Sequence, residues 1–215
     1  IDGCWNEGNI SAGKWDNATA SGGIVGRMVS VKNSVIRNSY NQGMIGQGAT
    51  ATGGIGGIVG RINIDALSNR VEYCYNAGNI AFSMNYLTGA IVGGGKTSDN
   101  TVAGCYYDPA NSTGSKDAGY NITAEEARSL TTAQLQSWAA AYALNGQNMD
   151  GLWVFTEGSY PGFGELDRPN DWSVVGQGLI DGLITSPSLP TGDGNASSPL
   201  QISSAEQLAV LAARV

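Results

Sequence analysis

Short apolar runs framed by small residues alternate with polar turn residues along the first 105 positions. Ile24-Val25, Ile58-Val59 and Ile91-Val92 occur as Gly22-Gly23-Ile24-Val25-Gly26, Gly56-Gly57-Ile58-Val59-Gly60 and Gly89-Ala90-Ile91-Val92-Gly93. Two apolar residues are too few for an amphipathic helix and suit a buried β-strand. The glycine flanks let neighbouring backbones approach closely. A second motif runs from Ile1 through Cys4-Trp5-Asn6-Glu7-Gly8 to Ile10. It returns from Ile36 through Ser39-Tyr40-Asn41-Gln42-Gly43 to Ile45, and from Val71 through Cys74-Tyr75-Asn76-Ala77-Gly78 to Ile80. A degenerate copy reads Val102-Ala103-Gly104-Cys105-Tyr106-Tyr107-Asp108. Asn-x-Gly after the aromatic is turn chemistry, because Gly takes positive φ and Asn bonds its own backbone.

The two motifs keep a common period. The second steps by 35 residues from Cys4 to Ser39 and again to Cys74, then by 31 to Cys105; the first steps by 34 and 33. Each period holds two or three short strands that cannot bury their own apolar face, so it needs equivalent neighbours above and below. The fold class expected on this basis is mainly β: a parallel β-solenoid of about three turns, with a helix-containing C-terminal cap and an extended tail. Stacking at about 4.8 Å predicts ladders of Ile1/Ile36/Val71/Val102, Cys4/Ser39/Cys74/Cys105, Trp5/Tyr40/Tyr75/Tyr106, Asn6/Asn41/Asn76 and Gly8/Gly43/Gly78. Strict alternation puts the Ile and aromatic ladders on one face and the Cys ladder on the other. Composition prefers Cys inside, and a bend within the motif would reconcile the two.

The Gly-Gly-Ile-Val-Gly and Cys-Tyr-Asn-x-Gly-x-Ile combinations resemble the GLUG-motif repeats of large bacterial surface proteins, including repeat regions attached to some IgA-specific metallopeptidases. The resemblance spans roughly residues 1–165. It implies a β-solenoid used as a stalk or adhesive surface outside the cell, and it supplies no catalytic residues. The peptidase zinc motif, His-Glu-x-x-His, requires histidine, and the chain has none.

Beyond Asp108 the repeat decays. Thr123-Ala124-Glu125-Glu126 reads as a capping box. Ala127, Leu130, Leu135, Trp138, Ala139, Tyr142 and Leu144 come after it at largely helical spacing, with Thr131-Thr132 as a division and Asn145-Gly146 as the stop. The expected organisation is solenoid repeats over 1–105, a cap over 106–165 with helix at about 123–145, a Pro/Gly-rich linker or docking tail over 166–202, and a helix opening a next module over 203–215. The chain starts in a turn and stops in that helix, so both ends are expected to be cut from a longer polypeptide or completed by neighbouring copies.

Composition narrows the function. Only 13% of residues are charged and 32 are Gly, which favours turns and strands over charged helical faces. A net charge of −7 with 11 Lys+Arg argues against nucleic acid as a partner. No apolar run approaches a membrane span. The absence of His removes Ser-His-Asp and Cys-His catalysis and every His-containing zinc site. No cofactor or metal is expected, and no enzymatic activity. The partners expected are neighbouring copies or further modules of the same long chain, together with host or matrix glycans and proteins.

Several residues invite sharper readings. Trp5, Tyr40, Tyr75 and Tyr106 could stack on sugars as a glycan-binding row, although aromatic stripes usually pack. Cys74 and Cys105 fall within disulfide reach on adjacent turns, whereas Cys4 lies two turns from Cys74, roughly 10 Å away. The plainer reading of all three is as small buried residues of a ladder. Asp108, Asn111, Ser112 and Asp117 offer oxygens without a defined calcium spacing. Glu125 and Glu126 fit a helix start better than a glycosidase pair. Gly53-Gly54-Ile55-Gly56-Gly57 lacks the Gly-Lys-Ser/Thr ending of a phosphate loop.

Overall fold

The computed structural model describes residues 1–11, 20–47, 53–81, 87–112, 118–119, 121–148, 151–164, 197 and 201. Apart from 197 and 201, the expected tail over 166–202 and helix over 203–215 lie outside the described residues. Within them the fold is mainly β, in small separate sheets that are parallel with one exception. Trp5–Asn6, Tyr40–Asn41, Tyr75–Asn76 and Cys105–Tyr107 lie side by side, with Trp5, Tyr40, Tyr75 and Tyr106 in register. Val35–Arg37, Arg70–Glu72 and Thr101–Ala103 form a second ladder that aligns Ile36, Val71 and Val102. Ser21–Gly22, Ile55–Gly56 and Thr88–Gly89 align Gly22, Gly56 and Gly89. Val25–Met28 pairs with Val59–Ile62, and Val59 bridges Val92. Ile10, Ile45 and Ile80 line up through Ile10–Ser11, Ile45–Gln47 and an isolated bridge. Equivalent residues of successive repeats are therefore hydrogen-bonded neighbours.

The glycine motif owes its composition to this stacking. A Cβ at Gly22, Gly56 or Gly89 would run into the carbonyl oxygen of Val25, Val59 or Val92 in its own repeat. At Gly23, Gly57, Gly60 and Gly93 it would collide with Gly57 O, Ala90 O, Gly26 O and Gly60 O of the adjacent repeat. Gly26 is tight as well, with Ala20 O at 2.9 Å.

A bend of the kind that would reconcile the two faces is present at one position of every copy. Gly3, Asn38, Tyr73 and Gly104 all have left-handed φ, at 62°, 50°, 52° and 58°. Each immediately precedes the Cys4/Ser39/Cys74/Cys105 position. The reversal turns both the Ile36/Val71/Val102 side chains and those of Cys74 and Cys105 into one core, with Ile58, Val59, Ile62, Ile91 and Val92. The aromatic residues one place later point away from that core into a second cluster.

The C-terminal segment differs from its expected form. Thr123 N–H does bond Glu126 Oε2 at 2.8 Å, half of a capping box. The chain then passes through a turn into a strand, Ala127–Ser129, which adds to the five-stranded sheet beside Cys105–Tyr107. The expected helix over 123–145 is thus corrected to α1 (Thr132–Leu135) and α2 (Trp138–Leu144). Parallel pairing to an open sheet edge outweighs a local helix signal that tertiary contacts do not support. The complete capping box is Thr131 with Gln134. The five-stranded sheet therefore continues past 105, the end expected for the repeats, as far as Ser129. An antiparallel hairpin, Trp153–Val154 with Gly162–Phe163, completes the described chain up to 164.

Candidate functional site

The side chains that the repeat brings together form two adjoining stacks. In the first, Asn6 Nδ2 donates to Asn41 Oδ1 at 2.7 Å, and Asn41 Nδ2 to Asn76 Oδ1 at 2.7 Å. Asn76 Nδ2 then donates to Ser112 Oγ at 2.9 Å. Each amide also bonds the carbonyl two residues on, at Gly8, Gly43 and Gly78. Both protons of each amide are spent, one within the repeat and one between repeats. Asn41, Asn76 and Ser112 are fully buried, where such bonds are worth most and an unmet group costs most. Gly43 and Gly78 are required because a Cβ would meet Gly8 O and Gly43 O of the preceding repeat.

The second stack is the aromatic one. The Tyr40 and Tyr75 rings stack with nearly parallel planes, ring centres 5.1 Å apart, and Trp5 continues the column at 6.4 Å from Tyr40. A cover made of Leu130, α1, α2 and the Trp153–Phe163 hairpin lies over it. Trp153 packs on Tyr40 and Tyr75 at 6.0 and 5.4 Å, and Phe163 packs on Trp5 and Tyr40 at 5.7 and 5.3 Å. Tyr75 OH donates to Pro161 O at 2.7 Å. Burial pushes the Tyr40 and Tyr106 phenols up to about 12, and raises Tyr75 too. Tyr40, Tyr75 and Tyr106 are 7%, 0% and 9% exposed, against 57% for Trp5. A sugar needs an open ring face. The row Trp5, Tyr40, Tyr75, Tyr106 offers one at Trp5 alone, so of the two readings of the row, packing and glycan stacking, the burial favours packing.

Asp108, considered in the sequence as a calcium ligand, is buried and turned to protein donors. Its Oδ2 accepts from Thr132 Oγ1 at 2.6 Å, Tyr160 OH at 2.8 Å and Asn111 Nδ2 at 3.2 Å, and its Oδ1 from Ala110 N–H at 2.9 Å. It joins the last aromatic strand to the first turn of α1 and to the hairpin. Burial, then the bond to Asp108, pushes the Tyr160 phenol up to about 12. Asp117 lies outside the described residues. Asp108→Ala is expected to cost about 2 kcal/mol, because several partly buried donors lose a charged acceptor. Asp108→Asn should recover part of that, since one oxygen remains. Urea denaturation of the three proteins checks the order; equal stability of wild type and Asp108→Ala would remove Asp108 as the anchor of the cover.

Glu125 and Glu126 border a surface concavity of about 420 Å³ together with Gly104, Cys105, Tyr106, Ala124 and Arg128. Glu126 forms an ion pair with Lys96 at 2.7 Å. A hydrogen bond from Thr123 holds the Glu125 carboxyl below its usual range. Both carboxylates serve the turn. Gly53 to Gly57 are buried among the ladders, with Ile55–Gly56 as a central strand.

No protein-family model, curated protein or solved structure matches the chain.

One polar stack escaped the sequence reading. Ser34 N–H bonds Asn69 Oδ1 at 3.0 Å, and Asn69 Nδ2 bonds Asn100 Oδ1 at 3.0 Å. Asn100 Nδ2 closes it on Ala66 O at 2.8 Å and Thr97 Oγ1 at 2.9 Å. Positions 34, 69 and 100 keep the same steps of 35 and 31 as Ser39, Cys74 and Cys105, so the period itself could have found them.

Proposed function

We propose that the chain is a segment of parallel β-solenoid serving as a stiff structural and adhesive repeat module of an extracellular bacterial surface protein, of the GLUG type that its motifs resemble. The observation that carries this reading is the in-register parallel pairing of residues 35 apart, sealed by the Asn6–Asn41–Asn76 amide stack. A unit of this kind is defined by its neighbours, so stability and length grow together as repeats are added. Its action is through shape, and its partners are further repeats or modules of the same kind.

Length scaling tests it. A chain extended by five tandem copies of residues 36–70 should gain about 24 Å in maximum dimension by small-angle X-ray scattering, at about 4.8 Å per rung. It should also melt at a higher temperature than the parent. A radius of gyration that instead obeys the scaling of a compact globule, about 2.2·N^0.38 Å, would sink the solenoid and the stalk with it. Surface placement is tested by antibody labelling of intact producing cells against lysed ones.

A further inference from the structure

Of the three cysteines, two are buried neighbours. The register that sets Tyr75 opposite Tyr106 sets Cys74 opposite Cys105 in the adjacent strand. Their backbones match, since Tyr73 and Gly104 share the left-handed conformation that aims the next side chain inward. Both side chains enter the same apolar core, and both are free thiols. Backbone carbonyls lie within reach of both S–H groups, Glu72 O at 3.2 Å and Ile36 O at 3.9 Å for Cys74, Ala103 O at 3.4 Å and Val71 O at 3.6 Å for Cys105. Adjacent rungs place Cα atoms about 4.8 Å apart, inside the disulfide range of about 4.4–6.8 Å. The same ladder position holds Ser39 on one side and Ala127 on the other, so neither thiol has a second cysteine beside it. Cys4 is exposed at the far end of the ladder, with the Ser39 rung between it and Cys74.

We propose that Cys74 and Cys105 form an inter-rung disulfide when the chain folds in an oxidising compartment, leaving Cys4 as a free thiol. The oxidant is a small-molecule or protein disulfide. One cysteine thiolate attacks it and releases a thiol; the second cysteine then attacks the mixed disulfide and releases the other. Two cysteine thiols and one disulfide become one protein disulfide and two thiols, with both cysteine protons passing to the leaving sulfurs. The bond forms before the core closes, because the finished core shields both sulfurs; burial and the neighbouring Cys105 thiol also raise the Cys74 thiol well above its usual range. The link falls where the period shortens from 35 to 31 residues. It therefore clamps the last regular rung to the irregular one that carries the cover.

Only the supply of oxidant rests on the extracellular placement proposed above; the pairing rests on register. Oxidative refolding from denaturant in a glutathione buffer tests it without reference to rod length. Maleimide labelling in denaturant is expected to mark Cys4 alone, and mass mapping to find the Cys74 and Cys105 peptides joined. Reductant should lower the melting temperature by about 7–15 °C, as for a closed loop of about 30 residues in a protein this size. Cys105→Ala should melt at one temperature with or without reductant. Three labelled thiols after oxidative refolding, or a bond that includes Cys4, overturns the proposal.

Discussion

Alanine at Gly43 or Gly78 is expected to destabilise the protein by about 3–4 kcal/mol, whereas alanine at Gly8 should cost less than about 1 kcal/mol. The three glycines hold the same place in successive repeats, so local propensity predicts one common effect. Stacking predicts a split. A Cβ at Gly43 would press on Gly8 O and sit 2.7 Å from Asn6 Nδ2; at Gly78 it would press on Gly43 O and Asn41 Nδ2. These are backbone atoms and amides already committed to ladder hydrogen bonds, Asn6 from one side and Asn41 from both, so neither can retreat without breaking them. At Gly8 the nearest atom is Asn6 Oδ1 at 3.7 Å, an ordinary contact. Gly8 also lacks the positive φ that would penalise alanine, and restricting the unfolded chain offsets part of any cost. Urea melts of the three variants decide it. If Gly8→Ala loses as much as Gly43→Ala, the penalty lies in the turn itself and not in contact between repeats.

Trp153→Ala should cost about 3–5 kcal/mol, the usual range for emptying a buried aromatic site. Trp153 is fully buried against Tyr40, Tyr75 and Phe163. Its indole N–H has no hydrogen-bond partner among the described residues, so the loss is one of packing. Its backbone is pinned separately. Trp153 N–H bonds Asn145 Oδ1 and Asn145 Nδ2 bonds Trp153 O, both at 2.8 Å, which keeps the hairpin tied to the end of α2. Trp153→Phe should therefore retain most of the stability, at a cost of about 1 kcal/mol. Trp5→Ala, at a half-exposed ring, should fall well below Trp153→Ala. The near-ultraviolet circular dichroism of the tyrosine stack should weaken in Trp153→Ala under conditions where the parallel ladders persist. A loss under about 1 kcal/mol would mean the cover lies loosely on the column.

Much of this fold was legible because a repeat writes its contacts into its spacing. Trp5, Tyr40 and Tyr75 could be aligned by counting, whereas the alternation conflict at Cys4, Ser39 and Cys74 left open which face is buried until the bend at Gly3, Asn38 and Tyr73 settled it. The aromatic column was legible as a column and illegible as a surface. Nothing in the repeat says that α1, α2 and the Trp153–Phe163 hairpin pack over it, because that contact joins segments with no common period. Ala127–Ser129 was unreadable for a related reason. Its Thr123–Glu126 signal is real and makes its bond, but the open edge of Cys105–Tyr107 decides the conformation of the next residues. Asp108 was noticed for its oxygens. That four donors converge on it depends on Thr132 and Tyr160, which lie 24 and 52 residues away.

The amide stack has one further property. Every inter-repeat bond in it runs the same way, from the NH₂ of one asparagine to the oxygen of the next, and it closes on a serine hydroxyl. The amide dipoles are aligned, so the column is vectorial, with a chemical head and a chemical tail. Any rung that stacks on the Oδ1 side of an asparagine in this column must offer it a donor, so the column is extended only by rungs that face the same way. A reversed rung would set acceptor against acceptor, which electrostatics alone disfavours.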